Sequence, residues 1–183
     1  AKALDVMPPH HWLRFGFRPD HVIEYFAAIS EAGLDLVAHV YPAWTRASYS
    51  SATLAQLARL PYVAAFKVGQ RDMNKYAADI KAIRAADPSK VILTCHDEYL
   101  LASMVQGVDG ALVGFATFIP QLIADLWEAV KAGDLKRAMA HISVKSHANA
   151  AKNPKAHLRN PITEEDVLNA PMIADPLGLY DCC

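Results

Sequence analysis

Five short apolar runs, each followed by a segment with helical spacing, leave few folds open to this chain. Leu4 to Met7, Leu36 to Tyr41, Val63 to Gly69, Val91 to Cys95 and Gly110 to Phe115 are too short for helices and read as buried strands. Pro19 and Asp20 are good helix starters, and Val22, Ile23, Phe26, Ala27 and Ile29 recur at helical spacing up to Gly33. Ser50 or Ser51 caps a helix through Ala58, and Asp72 caps one to about Ala86. Asp97 is expected to cap a helix to Gln106, and Pro120 opens one to Ala132. Alternation of this kind means parallel strands joined by right-handed crossovers.

The doubly wound sheet and the (β/α)8 barrel both satisfy that rhythm. A dinucleotide-binding sheet would carry a glycine fingerprint after its first strand, and none is present. The polar residues gather after strand ends: His10, His11, His39, Tyr41, Lys67, His96, Asp97 and Thr117. Loops after strand C-termini are where barrel enzymes keep their chemistry. A whole barrel takes about 250 residues, so five units predict an α/β fold that is a partial (β/α)8 TIM barrel. The expected form is an open layer whose two edge strands are unpaired.

Lys67 is the residue with the most chemistry at stake. In period two it shares a strand face with Val63 and Ala65, while Phe66 and Val68 take the other face. A lysine ending a buried strand either snorkels to solvent or reaches a cavity. Small Ala65 beneath it leaves room for a substrate, and apolar neighbours would disfavour its ammonium form. A desolvated lysine is a nucleophile toward carbonyls.

Composition excludes several classes. The 183 residues carry a net charge of -1, with scattered rather than clustered basic residues, which gives no footprint for nucleic acid. No apolar run has the length of a membrane span, and no secretory leader opens the chain. Three cysteines, Cys95, Cys182 and Cys183, make a poor disulfide framework and fit a reducing cytoplasm. Ala1 and the terminal cysteine pair make both ends read as cut. After Lys136 the rhythm stops. A helix is expected from His141 to Ala151, then a tail punctuated by Pro154, Pro161, Pro171 and Pro176, with Thr163 capping an acidic turn.

Several features in order then carry a resemblance: Pro8-Pro9-His10-His11, His39-Val40-Tyr41-Pro42, Phe66-Lys67, Asp97-Glu98, Gly107-Val108-Asp109-Gly110, Pro120 and Ala132-Gly133-Asp134. Residues 1 to 138 resemble the C-terminal part of the dihydrodipicolinate synthase / N-acetylneuraminate lyase family, class I aldolase-type barrels that work through a lysine Schiff base. The resemblance implies that Lys67 is the Schiff-base lysine and that His39 stands where the family has its proton-relay tyrosine, with Tyr41 able to supply a phenol. It implies substrate contacts at His10, His11, Trp44, Gly114 and Thr117. Trp44 takes the place of an arginine of the synthases, with Arg46 further on, which argues against dihydrodipicolinate synthesis itself. The family's first strands, with a threonine pair and a carboxylate-binding turn, are missing from this sequence.

Residues 139 to 183 resemble something else, an internal stretch of sterol-carrier-type thiolases. Ile142-Ser143-Val144-Lys145, Asn153-Pro154-Lys155-Ala156-His157 and Pro171-Met172-Ile173-Ala174-Asp175-Pro176 carry that likeness. It implies a domain division at 138/139 and assigns no catalytic residue to the tail. The expectation is therefore a Schiff-base lyase, aldolase or dehydratase acting on a 2-keto acid such as pyruvate, needing neither metal nor cofactor, cytoplasmic and a homo-oligomer. A thiolase-type acyl-CoA acyltransferase piece and a non-catalytic barrel fragment are the alternatives.

Overall fold

A computed structural model of the chain describes residues 2–42, 46–174 and 177–181. The chain divides into two compact units, Ala1–Gly114 and Phe115–Cys183.

The first unit is a parallel sheet in strand order β1-β2-β3-β4-β5. Its elements are β1 (Ala3–Val6), α1 (Trp12–Phe15), α2 (Pro19–Ser30), β2 (Asp35–Val40), α3 (Ser51–Ala58), β3 (Val63–Val68), α4 (Met73–Ala86), β4 (Val91–Thr94), α5 (Leu100–Met104) and β5 (Gly110–Ala111). Each strand pairs with the next in sequence, always parallel, as successive right-handed β/α units require. Consecutive order from edge to edge is that of a barrel opened out, so the expected α/β partial barrel is what the chain forms.

Local chemistry explains the helix ends. The Ser50 hydroxyl accepts the Thr53 amide, and the Asp72 carboxylate accepts those of Asn74 and Lys75. Gly33 follows α2 at φ 70°, a left-handed turn that glycine makes without a Cβ penalty. Lys75 and Ser51 both donate to Asp79, which is fully buried, and this tie joins α3 to α4.

Three expectations need correction. Asp97 does not cap α5: the cap position is Tyr99, and residues 97–99 form a bend and turn first. Glu98 in that turn pairs with Arg71 at 2.8 Å. The last strand is Gly110–Ala111 rather than Gly110 to Phe115, because a 3-10 turn over Gly114–Thr117 follows almost at once.

The two sheet faces differ, although His39 and Ala65 are buried on the more open one. Ala38, Phe66, Val68, Ile92 and Thr94 point to one face and are fully buried, with Phe26, Leu54, Leu57 and Ile83 of the helices also fully buried. Burying a side chain like Phe66 contributes about 1.5–3 kcal/mol. On the other face Asp5 and Val91 are exposed, and Val37, Lys67, Leu93 and Cys95 are half-buried. The core therefore lies between sheet and helices, and the face corresponding to a barrel interior stays partly open.

The second unit holds a 3-10 turn, α6 (Pro120–Lys131), α7 (Leu135–Ala151) and α8 (Glu164–Leu168). The third correction falls here: α7 starts at Leu135, not at His141, because Asp134 accepts the Arg137 amide and caps it six residues sooner. Thr163 and Asp166 form a capping box at α8, as the acidic turn suggested. A small antiparallel ladder, β6 (Met172–Ala174) with β7 (Leu177–Gly178), was not expected from the sequence. Cys182 and Cys183 lie outside the described residues.

Candidate active site

Register places the chemistry in rows across the open face. His39 of β2 pairs with Lys67 of β3, Lys67 with Leu93 of β4, and Leu93 with Gly110 of β5. Asp5 pairs with Val37, and Val37 with Ala65, so its row lies two residues earlier on the same face. The Asp5 carboxylate reaches forward from that row. Its Oδ2 is 3.1 Å from His39 Nδ1 and 3.8 Å from Lys67 Nζ. A carboxylate only accepts, so the imidazole Nδ1 carries the proton.

Lys67 has a side chain 16% exposed, neither free in solvent nor sealed. Its surroundings correct one expectation. The amine does not sit among apolar groups alone but makes an ion pair with Asp5, because β1 brings a carboxylate to the inner face. Ala65 lies in the row beneath it and is 8% exposed, which keeps the space below the lysine small and apolar.

His39 is buried, and its Nε2 has no hydrogen-bond partner among the described residues. Burial pushes the His39 pKa below the ordinary histidine value, and the Lys67 cation adds to this against the pull of Asp5. The ring is therefore neutral at pH 7. It stacks on Tyr41 at 5.8 Å between centroids and 5° between planes. Tyr41 meets His96 edge-on at 5.0 Å, and His96 meets Tyr99 at 6.0 Å. His96 donates from Nε2 to the Gly69 carbonyl, which fixes its tautomer.

Gly69 permits this packing. A Cβ there would lie 2.6 Å from Tyr41 Cδ2 and 2.8 Å from Cys95 Sγ. Burial pushes the Cys95 thiol up to about 11, against the pull of the Lys67 cation, so it is an unreactive thiol at neutral pH. Asp97 lies near Gly114, where an added Cβ would approach its Oδ2 to 3.2 Å.

The structure thus brings Lys67, His39 and Tyr41 together, and adds Asp5, which the sequence did not single out. A period-two pattern puts Asp5 on the face opposite Leu4 and Val6, and only the pairing register shows that this is the face of His39 and Lys67. His10 and His11 are exposed on the turn between β1 and α1. Among the described residues neither makes a hydrogen bond, ion pair or ring contact with Lys67, His39 or Asp5; His11 instead packs against Trp12, which joins Phe17, Tyr25 and Tyr49 in an aromatic cluster. Gly114 and Thr117 are exposed, and Trp44 lies outside the described residues. Arg46 is exposed and holds a left-handed backbone at φ 52°. Among the described residues no group of three or more His, Cys, Asp and Glu side chains is placed to hold a metal, and no helix is long and apolar enough to cross a membrane.

Comparison with known proteins gives this geometry its context. A prophage protein of the dihydrodipicolinic acid synthase family from Escherichia coli, solved in complex with pyruvate, superposes with a TM-score of 0.70 at 22% identity, over 83% of this chain and 51% of that one. A 4-hydroxy-tetrahydrodipicolinate synthase of Acidiphilium cryptum is 30% identical over 122 residues, 66% of this chain and 41% of the relative. An acetyl-CoA acetyltransferase of Methanothermobacter thermautotrophicus is 34% identical over 116 residues, 62% of this chain and 27% of the relative. That stretch is longer than the whole tail after residue 138. The chain spans about half or less of the length of these proteins. The family model of the dihydrodipicolinate synthetases matches residues 3–164, through the five β/α units and beyond residue 138. On that match, which includes the Lys67 strand and most of the chain, this protein belongs to the dihydrodipicolinate synthetase family.

Proposed function

We propose that this chain carries the Schiff-base half of a class I lyase or aldolase that acts on a 2-keto acid of the pyruvate type. The observation that carries the reading is Lys67 at the C-terminal end of β3, half-buried on the inner sheet face, with a carboxylate and a neutral imidazole beside it. Family membership makes a lysine imine the expected chemistry, and pyruvate bound to the E. coli neighbour suggests the substrate class.

In this reading Lys67 Nζ attacks the ketone carbon and water leaves. The resulting iminium draws electrons from the adjacent carbon, so a carbon–carbon bond there can form or break. His39, paired with Lys67 across the strands, and Tyr41, stacked on His39, move protons at that carbon. His10, His11, Trp44, Gly114 and Thr117 remain proposed substrate contacts, to be tested one by one. Self-association is part of the same reading, because β1 and β5 are each paired on one side only within the sheet.

The test is carbon-13 NMR of pyruvate labelled at its ketone carbon, mixed with the folded chain. A new iminium resonance that vanishes in Lys67→Arg supports the reading, since a guanidinium forms no imine. An unchanged ketone signal in the wild-type chain argues against it. The acetyltransferase relative keeps a second reading in play, an acyl-CoA-binding piece of the thiolase type. Saturable binding of acetyl-CoA without any pyruvate imine would favour that one.

A further inference from the structure

The Asp5 carboxylate has the geometry of a working group rather than a bystander. One oxygen, Oδ2, faces both the lysine amine at 3.8 Å and the imidazole Nδ1 at 3.1 Å. His39 is buried, so its ring is held in place, and its Nδ1–H fixes the orientation of that oxygen. The Asp5 side chain is itself 46% exposed, so an incoming keto acid can meet it.

Imine formation from a protonated lysine requires such a group. The ammonium carries three hydrogens, the iminium nitrogen carries one, and the departing water takes the other two. Two protons must therefore travel from nitrogen to the ketone oxygen, with no net gain or loss. A base beside Nζ that can accept a proton and return it performs both transfers.

We propose that Asp5 is the proton shuttle for imine formation at Lys67, with His39 as the residue that positions it. This rests on the reading of Lys67 as the imine-forming lysine. Asp5 Oδ2 takes the first proton from Nζ, freeing the lone pair that bonds to the ketone carbon as the carbonyl π pair moves to oxygen. Asp5 hands that proton to the oxygen, giving a carbinolamine. It then takes the second proton from the nitrogen and delivers it to the hydroxyl. The carbon–oxygen bond breaks, water leaves with the bonding pair, and the nitrogen lone pair closes the iminium. The carboxylate ends as it began.

Asp5 is also the counter-charge of Lys67, and the two roles predict opposite signs. Removing a mere counter-charge leaves more of the amine uncharged and speeds imine formation at neutral pH. Removing a shuttle slows it, by about a hundredfold or more. The experiment is rapid quenching of the full chain mixed with pyruvate into borohydride, following reduced adduct on Lys67 against time. The expected result is a large slowing in Asp5→Asn, partial recovery in Asp5→Glu, and a smaller slowing in His39→Gln. Equal or faster trapping on Lys67 in Asp5→Asn, with the wild type trapping normally, overturns the shuttle and leaves the Lys67 reading intact. A wild-type chain that never traps on Lys67 overturns both.

Discussion

His39 Nδ1 lies 3.1 Å from Asp5 Oδ2 across 34 residues of sequence, joining the edge strand β1 to the strand beside it. The contact fixes which nitrogen of the ring carries the proton. It leaves Nε2 as a buried acceptor without a partner among the described residues, and a buried group left unsatisfied costs about 1–3 kcal/mol.

His39 should make stability depend on pH in a definite direction. Burial and the Lys67 cation hold its folded pKa below the 6.5 of an ordinary histidine. The unfolded chain therefore binds more protons between the two values, and stability rises with pH there. The contribution is fully present above 6.5 and is lost as pH falls through the lowered folded value. Asp5, Lys67 and Tyr41 are the charged and titratable groups that face the ring. Urea midpoints measured from about pH 7 down to about pH 5 should fall more steeply for the wild type than for His39→Gln. Parallel curves would count against it.

Gly69→Ala should destabilise the chain. The new methyl would press on the Tyr41 ring and the Cys95 sulfur, and overpacking of this kind costs about 1–3 kcal/mol. Adding Cys95→Ala should recover part of the loss by removing one of the two obstructions. A urea titration with unchanged midpoint for Gly69→Ala would contradict the packing described at the strand ends.

Neighbouring residues of β4 should respond very differently to truncation. Ile92 is fully buried against the helices, and Val91 on the opposite face is 42% exposed. Ile92→Ala should cost about 2–5 kcal/mol by transfer and cavity terms, whereas Val91→Ala should cost under about 1 kcal/mol. Comparable losses would mean that both sheet faces are covered.

Much of this fold is legible in the sequence because the signals are local. Ser50, Asp72 and Thr163 announce their helices, since a short polar side chain can satisfy a neighbouring amide wherever the chain goes next. Lys67 could be placed on its face by counting alternate residues of β3. Asp5 could not, because its role arises from the register between two strands separated by a whole helix. Asp97 misled for a related reason: its spacing suits a cap, but Glu98 next to it is drawn to Arg71 across the loop. His10 and His11 fit the family pattern in sequence, yet the aromatic cluster around Trp12 holds that turn at the surface.

Trypsin should open the second unit between α7 and α8. Lys152, Lys155 and Arg159 lie in a stretch where nearly every residue is exposed. Brief digestion should cut there before it cuts at Lys90, which is buried. Mass spectrometry of the first fragments checks this, and early cleavage after Lys90 would contradict it.

The most direct measurement of the central claim is peptide mapping after borohydride reduction of the folded chain with pyruvate. The account predicts a reduced pyruvyl adduct on the peptide containing Lys67 and its loss in Lys67→Arg, with circular dichroism showing both proteins folded. Label spread over exposed lysines such as Lys152 and Lys155, with Lys67 unmodified, would contradict it.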